Sequence, residues 1–87
     1  MLDPDLLRTF TAIVDTGGFT AAAEAIHKTQ SAVSLQMRKL EQAVGRPLFE
    51  KSGRGVKLTK DGELLLPHAR RILAAEREAL AAFAEPD

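Results

Sequence analysis

Residues 30 to 44, QSAVSLQMRKLEQAV, have the length and apolar periodicity of a helix but carry two different faces. At about 100° per residue the large apolar residues fall mainly on one side, which we expect to pack into a core. These core positions are Val33, Met37, Leu40 and Val44. Ser31, Leu35, Arg38 and Gln42 fall on the opposite side. We therefore predict a fold in which one face of this helix is packed and the other can contact a second molecule.

Capping residues and glycines divide the chain into four predicted helices. Asp3 can cap the first helix, and Gly17-Gly18 can end it because glycine readily adopts the left-handed conformation. Thr20 is predicted to cap a short, alanine-rich second helix. Thr29 is predicted to cap the third helix, and Gly45 to end it.

After Gly45 the pattern changes to two short apolar runs, Leu48-Phe49 and Val56-Lys57-Leu58. The stretch SGRG lies between them, and its two glycines permit the tight reversal of a hairpin. The sequence therefore predicts a two-stranded ribbon that carries Arg54 at its tip. Such a ribbon, appended to helices, is called a wing.

Thr59 is predicted to cap the last helix, which runs from residue 60 to about 84 and carries more apolar surface than so small a domain can bury. Pro67 is expected to kink or interrupt it. Glu76 falls near the middle of the apolar stripe and is expected to need a partner such as Arg70 or Arg77 of a second chain. The predicted dimer interface comprises Leu65, Leu66, Ala69, Ile72, Leu73, Glu76, Leu80 and Phe83.

The net charge is zero, but the charges are unevenly distributed. Residues 28 to 60 carry eight basic and two acidic side chains, whereas the rest of the chain carries four basic and ten acidic ones. The local field decides what binds where, so this basic block is a candidate surface for a polyanion. A solvated charged surface without a ligand would have the same composition.

The composition argues against several classes of function. The 87 residues allow one domain, and the lack of cysteine excludes disulfides and thiolate metal sites. No segment approaches the roughly 20 apolar residues that span a bilayer, and no signal peptide is visible, so a cytoplasmic location is expected. His27 and His68 are isolated in sequence, and no acid–base pair has a convincing spacing. We therefore predict no enzyme activity, no cofactor and no metal site.

Two helices joined by a tight turn, with small residues where they cross, are typical of a helix-turn-helix, whose second helix enters the DNA major groove. Gln30 can bond bidentately to adenine, Leu35 can contact a thymine methyl group, and Arg38 can reach a guanine edge or a phosphate. The predicted base contacts are Gln30, Ser31, Ser34, Leu35, Arg38 and, in the minor groove, Arg54. The predicted phosphate contacts are Thr20, Lys28, Thr29, Lys39, Lys51, Lys57 and Lys60.

The stretch FTAAAEAIHKTQSAVSLQMRKLEQAVGRPLFEKSGRGVKLTKDGE resembles the N-terminal DNA-binding domain of LysR-type bacterial transcriptional regulators. The elements AAE, TQSAVS, LE, GRPLF, R-G-V and LT-x-x-GE occur in the order and spacing of that family. The resemblance implies a mainly α-helical fold. Residues 1–60 would form a winged helix-turn-helix of three helices and a two-stranded wing, and residues 61–87 a linker and dimerisation helix.

The resemblance also implies partners. In this family, linker helices pair antiparallel, and the homodimer binds an interrupted palindrome in a promoter. Full-length members can form tetramers and continue into a domain that binds a small-molecule inducer, which this sequence lacks. We expect an excised domain, with a natural short form as the alternative. Relatives often carry Arg or Gln where this chain has Leu35, and a basic residue where it has Ala21, so the base preference beside Ser34 stays open.

A second class of function fits the same sequence. The long apolar helix can bind another protein, with little DNA binding by the helix-turn-helix. Phosphate contacts make DNA affinity fall steeply with salt, so a salt-dependent binding assay separates a DNA-binding domain from a protein-interaction module.

Overall fold

The computed structural model describes residues 2–84. Residue 1 and residues 85–87, which the predicted domain bounds include, lie outside the described part. The elements in chain order are α1 (Pro4–Thr16), α2 (Phe19–Ala25), α3 (Gln30–Val44), β1 (Phe49–Ser52), β2 (Gly55–Leu58) and α4 (Lys60–Ala81). The two strands pair antiparallel. The predicted order of three helices, a ribbon and a long last helix is confirmed.

The helices begin and end where local backbone chemistry favours it. The side chains of Asp3, Thr29 and Thr59 each accept a hydrogen bond from a backbone N–H two or three residues later, at 2.9, 3.1 and 3.1 Å. These bonds satisfy donors that have no partner inside a first helical turn. Gly17 and Gly45 end α1 and α3 in the left-handed conformation, with φ of 85° and 82°. The capping predictions for these helices are confirmed.

The prediction that Thr20 caps the second helix is wrong. Gly18, in an extended conformation, precedes α2, and Thr20 lies within the first turn. The helix starts at Phe19, whose ring packs edge-on against Phe49 with centroids 5.9 Å apart. The turn into α3 passes through His27 at φ 57°, a conformation that histidine adopts more readily than most residues.

The core is centred on α1, which packs against α2, α3 and α4. Val33, Met37 and Leu40 of α3 are buried, as their periodicity predicts, and Val44 is half-buried. The ring of Phe10 is fully buried and lies 5.4 Å from that of Phe49, centroid to centroid. The remaining buried apolar residues are Leu7, Ile13, Ala22, Ala23, Leu48, Leu65, Ala69 and Leu73. Burying one face of α3 in this way leaves its other face toward solvent.

The ribbon is fixed to the end of α1 by a close backbone approach. Ser52 pairs with Gly55, so Gly53 and Arg54 form a two-residue loop. Gly53 has φ 59°, as the first loop position of a type II′ turn requires. The backbone N–H of Val56 donates to the carbonyl of Gly17 at 3.4 Å. A Cβ on Gly55 would lie 2.7 Å from the same carbonyl oxygen, so glycine allows the ribbon to dock there.

Helix α4 runs unbroken through Pro67, so the predicted interruption is absent. It contributes Leu65, Ala69 and Leu73 to the core of this same chain. Those three residues were predicted at a dimer interface, and their burial within one chain corrects that assignment. Among residues 2–84, no helix combines the length and apolarity needed to cross a membrane.

Glu76 finds its partner within the chain. Its carboxylate accepts a hydrogen bond from Arg8 of α1 at 2.6 Å. The partner found is Arg8 of the same chain rather than Arg70 or Arg77 of a second chain, and Arg70 pairs with Asp15 at 3.0 Å. Sequence periodicity shows that a charge lies within an apolar stripe, but it does not show which helix crosses that stripe.

Candidate nucleic-acid interface

The outer face of α3 is open to solvent at the positions predicted to contact bases. Gln30, Ser31, Leu35 and Arg38 are exposed, and Ser34 is half-buried. Leu35 is 47% exposed, although it is a large apolar residue. The outer face of α3 therefore presents hydroxyl, amide, guanidinium and methyl groups along one side of the helix. These are the groups that read base edges in a major groove.

One cleft of about 560 Å³ separates the start of α3 from the wing. Gln30 lines it from α3, Lys51 and Arg54 line it from the ribbon, and Thr20 lines it from α2. Three separate elements therefore bring four of the residues predicted to contact DNA to one opening.

A second, smaller cleft of about 280 Å³ lies further along α3. Ser34, Arg38 and Lys51 line it, together with the acidic side chains of Glu41 and Glu50. Lys51 borders both clefts. Among residues 2–84, neither Arg38 nor Lys51 forms a salt bridge. Their charges can therefore act on a ligand.

The other predicted phosphate contacts are not gathered at these clefts. Lys57 lies opposite Glu50 in the ribbon and lines a different cleft, on the side of α1. Lys39 and Lys60 are exposed but line neither of the two clefts beside α3. Thr29 uses its oxygen to cap α3, which leaves its hydroxyl proton available to a phosphate.

Lys28 has a partner inside the protein. Its ammonium group donates to Asp5 at 2.9 Å and to the amide oxygen of Gln36 at 3.1 Å. The side chain is 28% exposed and its charge is compensated by the carboxylate. Lys28 is therefore much less available to a phosphate than the sequence pattern indicated.

Lys28 belongs to a polar cluster that the sequence reasoning missed, made of Asp5, Thr9, Lys28 and Gln36. The Gln36 amide donates to Asp5 at 2.7 Å, and its oxygen accepts from the fully buried Thr9 hydroxyl at 2.6 Å. The only sequence signal was that Thr9 and Gln36 are polar residues beside apolar faces. Periodicity cannot pair two such residues across different helices.

The contacts of this cluster shift the pKa of the Asp5 carboxyl below its ordinary value. The hydrogen bond from Lys28 lowers the pKa of Asp5, burial opposes it, and Gln36 and Arg8 lower it further. Because the folded-state pKa lies below the ordinary value, the resulting stabilisation is present above that ordinary value. It is lost as the pH falls through the lowered pKa.

Among residues 2–84, no three histidine, aspartate or glutamate side chains are grouped so that they could hold a metal ion.

A helix-turn-helix whose second helix shares an exposed face with a two-stranded ribbon defines the winged helix-turn-helix class. The chain belongs to the lysR family of bacterial regulatory helix-turn-helix proteins, whose family model matches residues 4–63. The family that the sequence elements resemble is thereby confirmed.

Named relatives and solved structures agree with this membership. The HTH-type transcriptional regulator DgdR of Burkholderia cepacia is 50% identical over 80 residues, which are 92% of this chain and 27% of that protein. A complex of the CbnR DNA-binding domain with DNA is similar with a TM-score of 0.80 at 36% identity, covering 93% of this chain and 99% of that one. A complex of the BenM DNA-binding domain with catB site 1 DNA gives 0.87 at 30% identity, covering 93% and 91%. The chain spans about a quarter of the length of the curated relatives that it matches.

Proposed function

We propose that this chain binds double-stranded DNA sequence-specifically as part of a bacterial transcription regulator. Helix α3 would lie in the major groove and the wing tip at Arg54 in the minor groove. The observation that carries the proposal is the opening shared by Gln30, Lys51 and Arg54, which places the exposed start of α3 beside basic side chains of the ribbon. Since bacterial promoters lie in the cytoplasm, the proposal places the protein there.

The exposed groups divide into two roles. The proposed base contacts are Gln30, Ser31, Ser34, Leu35, Arg38 and Arg54. Thr20, Thr29 and Lys51 would hold phosphates beside α3, and Lys39, Lys57 and Lys60 would contribute a weaker, more distant field. Lys28 is left out of the direct contacts because Asp5 compensates its charge. Phosphate contacts position the protein, whereas the contacts to base edges select the sequence.

We further propose that two copies pair through α4 and bind an interrupted palindrome. The support is apolar surface that this chain does not cover: Leu80 and Phe83 are 71% and 87% exposed. Ile72, at 36% exposure, lies on the same side of the helix. In a longer protein, a further domain would bind a small-molecule inducer and could extend the dimer to a tetramer.

Replacing Gln30 by alanine is expected to lower affinity for the preferred site by about 1–3 kcal/mol and to relax base choice at one position. The reason is that the amide is exposed and can bond two atoms of one adenine edge. The measurement is fluorescence anisotropy on two duplexes, one selected by the wild-type chain from a random pool and one of random sequence, each over a range of salt.

Gln42→Ala is the matched control, because Gln42 is an exposed glutamine on the same helix, three turns from the helix start. It should leave both affinities unchanged. Equal losses on the selected and random duplexes for Gln30→Ala would contradict the base-reading role. A wild-type affinity too weak to measure, or independent of salt, would favour the protein-interaction module.

Replacing Arg54 by alanine is expected to weaken DNA binding, because it removes one positive charge from the wing. The slope of log Kd against log salt concentration should fall by about 1. Arg54 is exposed at the ribbon tip, and among residues 2–84 it has no carboxylate within salt-bridge distance. Arg71→Ala removes the same charge from the exposed side of α4 and serves as the control. An unchanged salt slope for Arg54→Ala would contradict a charge contact between Arg54 and DNA.

A further inference from the structure

The middle of α3 is attached to α1 through the side chain of Gln36, and this attachment has a consequence for DNA recognition. We infer that Gln36 is a positioning residue: it sets the rotation of α3 at which the outer face meets the bases. The inference rests on the proposed DNA-binding function. It assigns a role to a residue that does not itself touch DNA.

Both ends of the Gln36 amide are used. The nitrogen donates to the carboxylate of Asp5 at 2.7 Å. The oxygen accepts from the hydroxyl of Thr9 at 2.6 Å and from the ammonium of Lys28 at 3.1 Å. Two of these partners lie on α1, and the third lies in the turn before α3. The amide is therefore held from two directions and cannot turn without losing hydrogen bonds.

Apolar packing and hydrogen bonding constrain this rotation differently. The burial of Val33, Met37 and Leu40 is driven by a non-directional effect, whereas a hydrogen bond weakens steeply when its donor turns away from its acceptor. Base recognition is far less tolerant, because functional groups must be held within about 0.5 Å and 10–20° of their working geometry. Directional hydrogen bonds at Gln36 supply the constraint that the apolar contact lacks.

Gln36 is unlike its neighbours on the outer face. It is half-buried, whereas Leu35 and Arg38 are exposed. On a helical wheel it falls about 100° from Leu35, on the flank that faces α1. Since its amide already bonds three protein groups, it has no need of a base edge to satisfy it.

The test compares Gln36→Met with Gln42→Met. Methionine keeps the length and approximate volume of glutamine but removes its hydrogen bonds. No buried group is stranded, because the Thr9 hydroxyl can donate to the backbone carbonyl of Asp5 at 3.2 Å and Lys28 keeps its carboxylate. We expect the thermal midpoint to change little. The ratio of affinities for the selected and random duplexes should fall about tenfold, as for the loss of one good base contact.

A loss of stability alone would lower both affinities together, so the ratio separates positioning from folding. Thr9→Val removes one of the three bonds while keeping the side-chain shape. The ratio should fall less than with Gln36→Met, and the double variant should match Gln36→Met because the residues act as one unit. The inference would be overturned if the double variant lowered this ratio by the product of the two single losses. It would also be overturned if Gln36→Met left the ratio unchanged, or if Gln42→Met lowered it as much as Gln36→Met does. If the wild-type chain fails to distinguish the two duplexes, the proposed function falls and this inference with it.

Discussion

Gly62→Ala is expected to destabilise the whole fold by about 2–3 kcal/mol, even though alanine is the better helix former. A Cβ at this position would overlap the backbone carbonyl of Leu48 and lie 2.7 Å from a methyl carbon of Leu58. The carbonyl cannot move freely, because it accepts the backbone N–H of Thr59 at 3.0 Å. The added methyl group would therefore separate the start of α4 from the base of the ribbon.

The measurement is the thermal and urea unfolding of Gly62→Ala beside Gly18→Ala. For a domain of this size the expected loss corresponds to a fall in Tm of about 10–20 °C. Gly18 is the matched control, since its backbone is extended and a Cβ there meets nothing within 4 Å. If Gly62→Ala and Gly18→Ala had equal thermal midpoints, the start of α4 and the base of the ribbon could move apart without loss of stability.

Helix ends could be predicted because capping is a local interaction. The bonds at Asp3, Thr29 and Thr59 join residues only two or three apart, so a short window of sequence contains both partners. Thr20 shows the limit of this reasoning. Threonine is a good capping residue, but packing of Phe19 on Phe49 accompanies a helix that begins one residue before Thr20. Tertiary packing overrode the local preference.

Contacts between distant residues could not be predicted. Arg8 and Glu76 are 68 positions apart, and Asp5 and Gln36 are 31 apart. Periodicity assigns each residue to a face of its own helix, but it does not say which helices cross or which residues meet where they cross. The basic side chain of Lys28 was for this reason assigned to DNA, whereas the fold directs it to Asp5.

The candidate site was easier to predict than the α4 surface. Exposure at Gln30 and Leu35 follows from the core face of one helix, which the sequence displays directly. The apolar stripe of α4 looks uniform in sequence, yet Leu73 is 7% exposed and Leu80 is 71% exposed. The difference arises because the rest of the domain buries α4 only as far as Leu73, and the point where this cover ends is set by the whole fold.

Leu80→Asp is expected to convert the proposed dimer into monomers at micromolar concentration. In a two-fold symmetric interface each substitution acts twice, so losing the burial of two leucines alone costs about 3–6 kcal/mol. That corresponds to a hundredfold or larger rise in the dimer Kd. Leu73→Asp is a poorer probe, because Leu73 belongs to the core of the single chain and its replacement would unfold the chain.

Ala81→Asp is the control for this experiment. It adds the same charge to the next residue of α4, which is also exposed but lies about 100° away around the helix. Sedimentation velocity should give a dimer for the wild-type chain and for Ala81→Asp, and a monomer with unchanged circular dichroism for Leu80→Asp. A dimer that persists in Leu80→Asp would reject pairing through this surface.

The same pair of variants tests what the dimer does for recognition. A dimer holds its second α3 near the second half-site, so wild-type affinity for a palindrome should exceed that for one half-site by about a hundredfold or more. Leu80→Asp should bind the half-site as well as the wild-type chain does, because the face around Gln30 is unchanged. Its advantage on the palindrome should disappear. Loss of half-site affinity in Leu80→Asp would instead mean that α4 supports the DNA-binding face directly, through the fold of each chain.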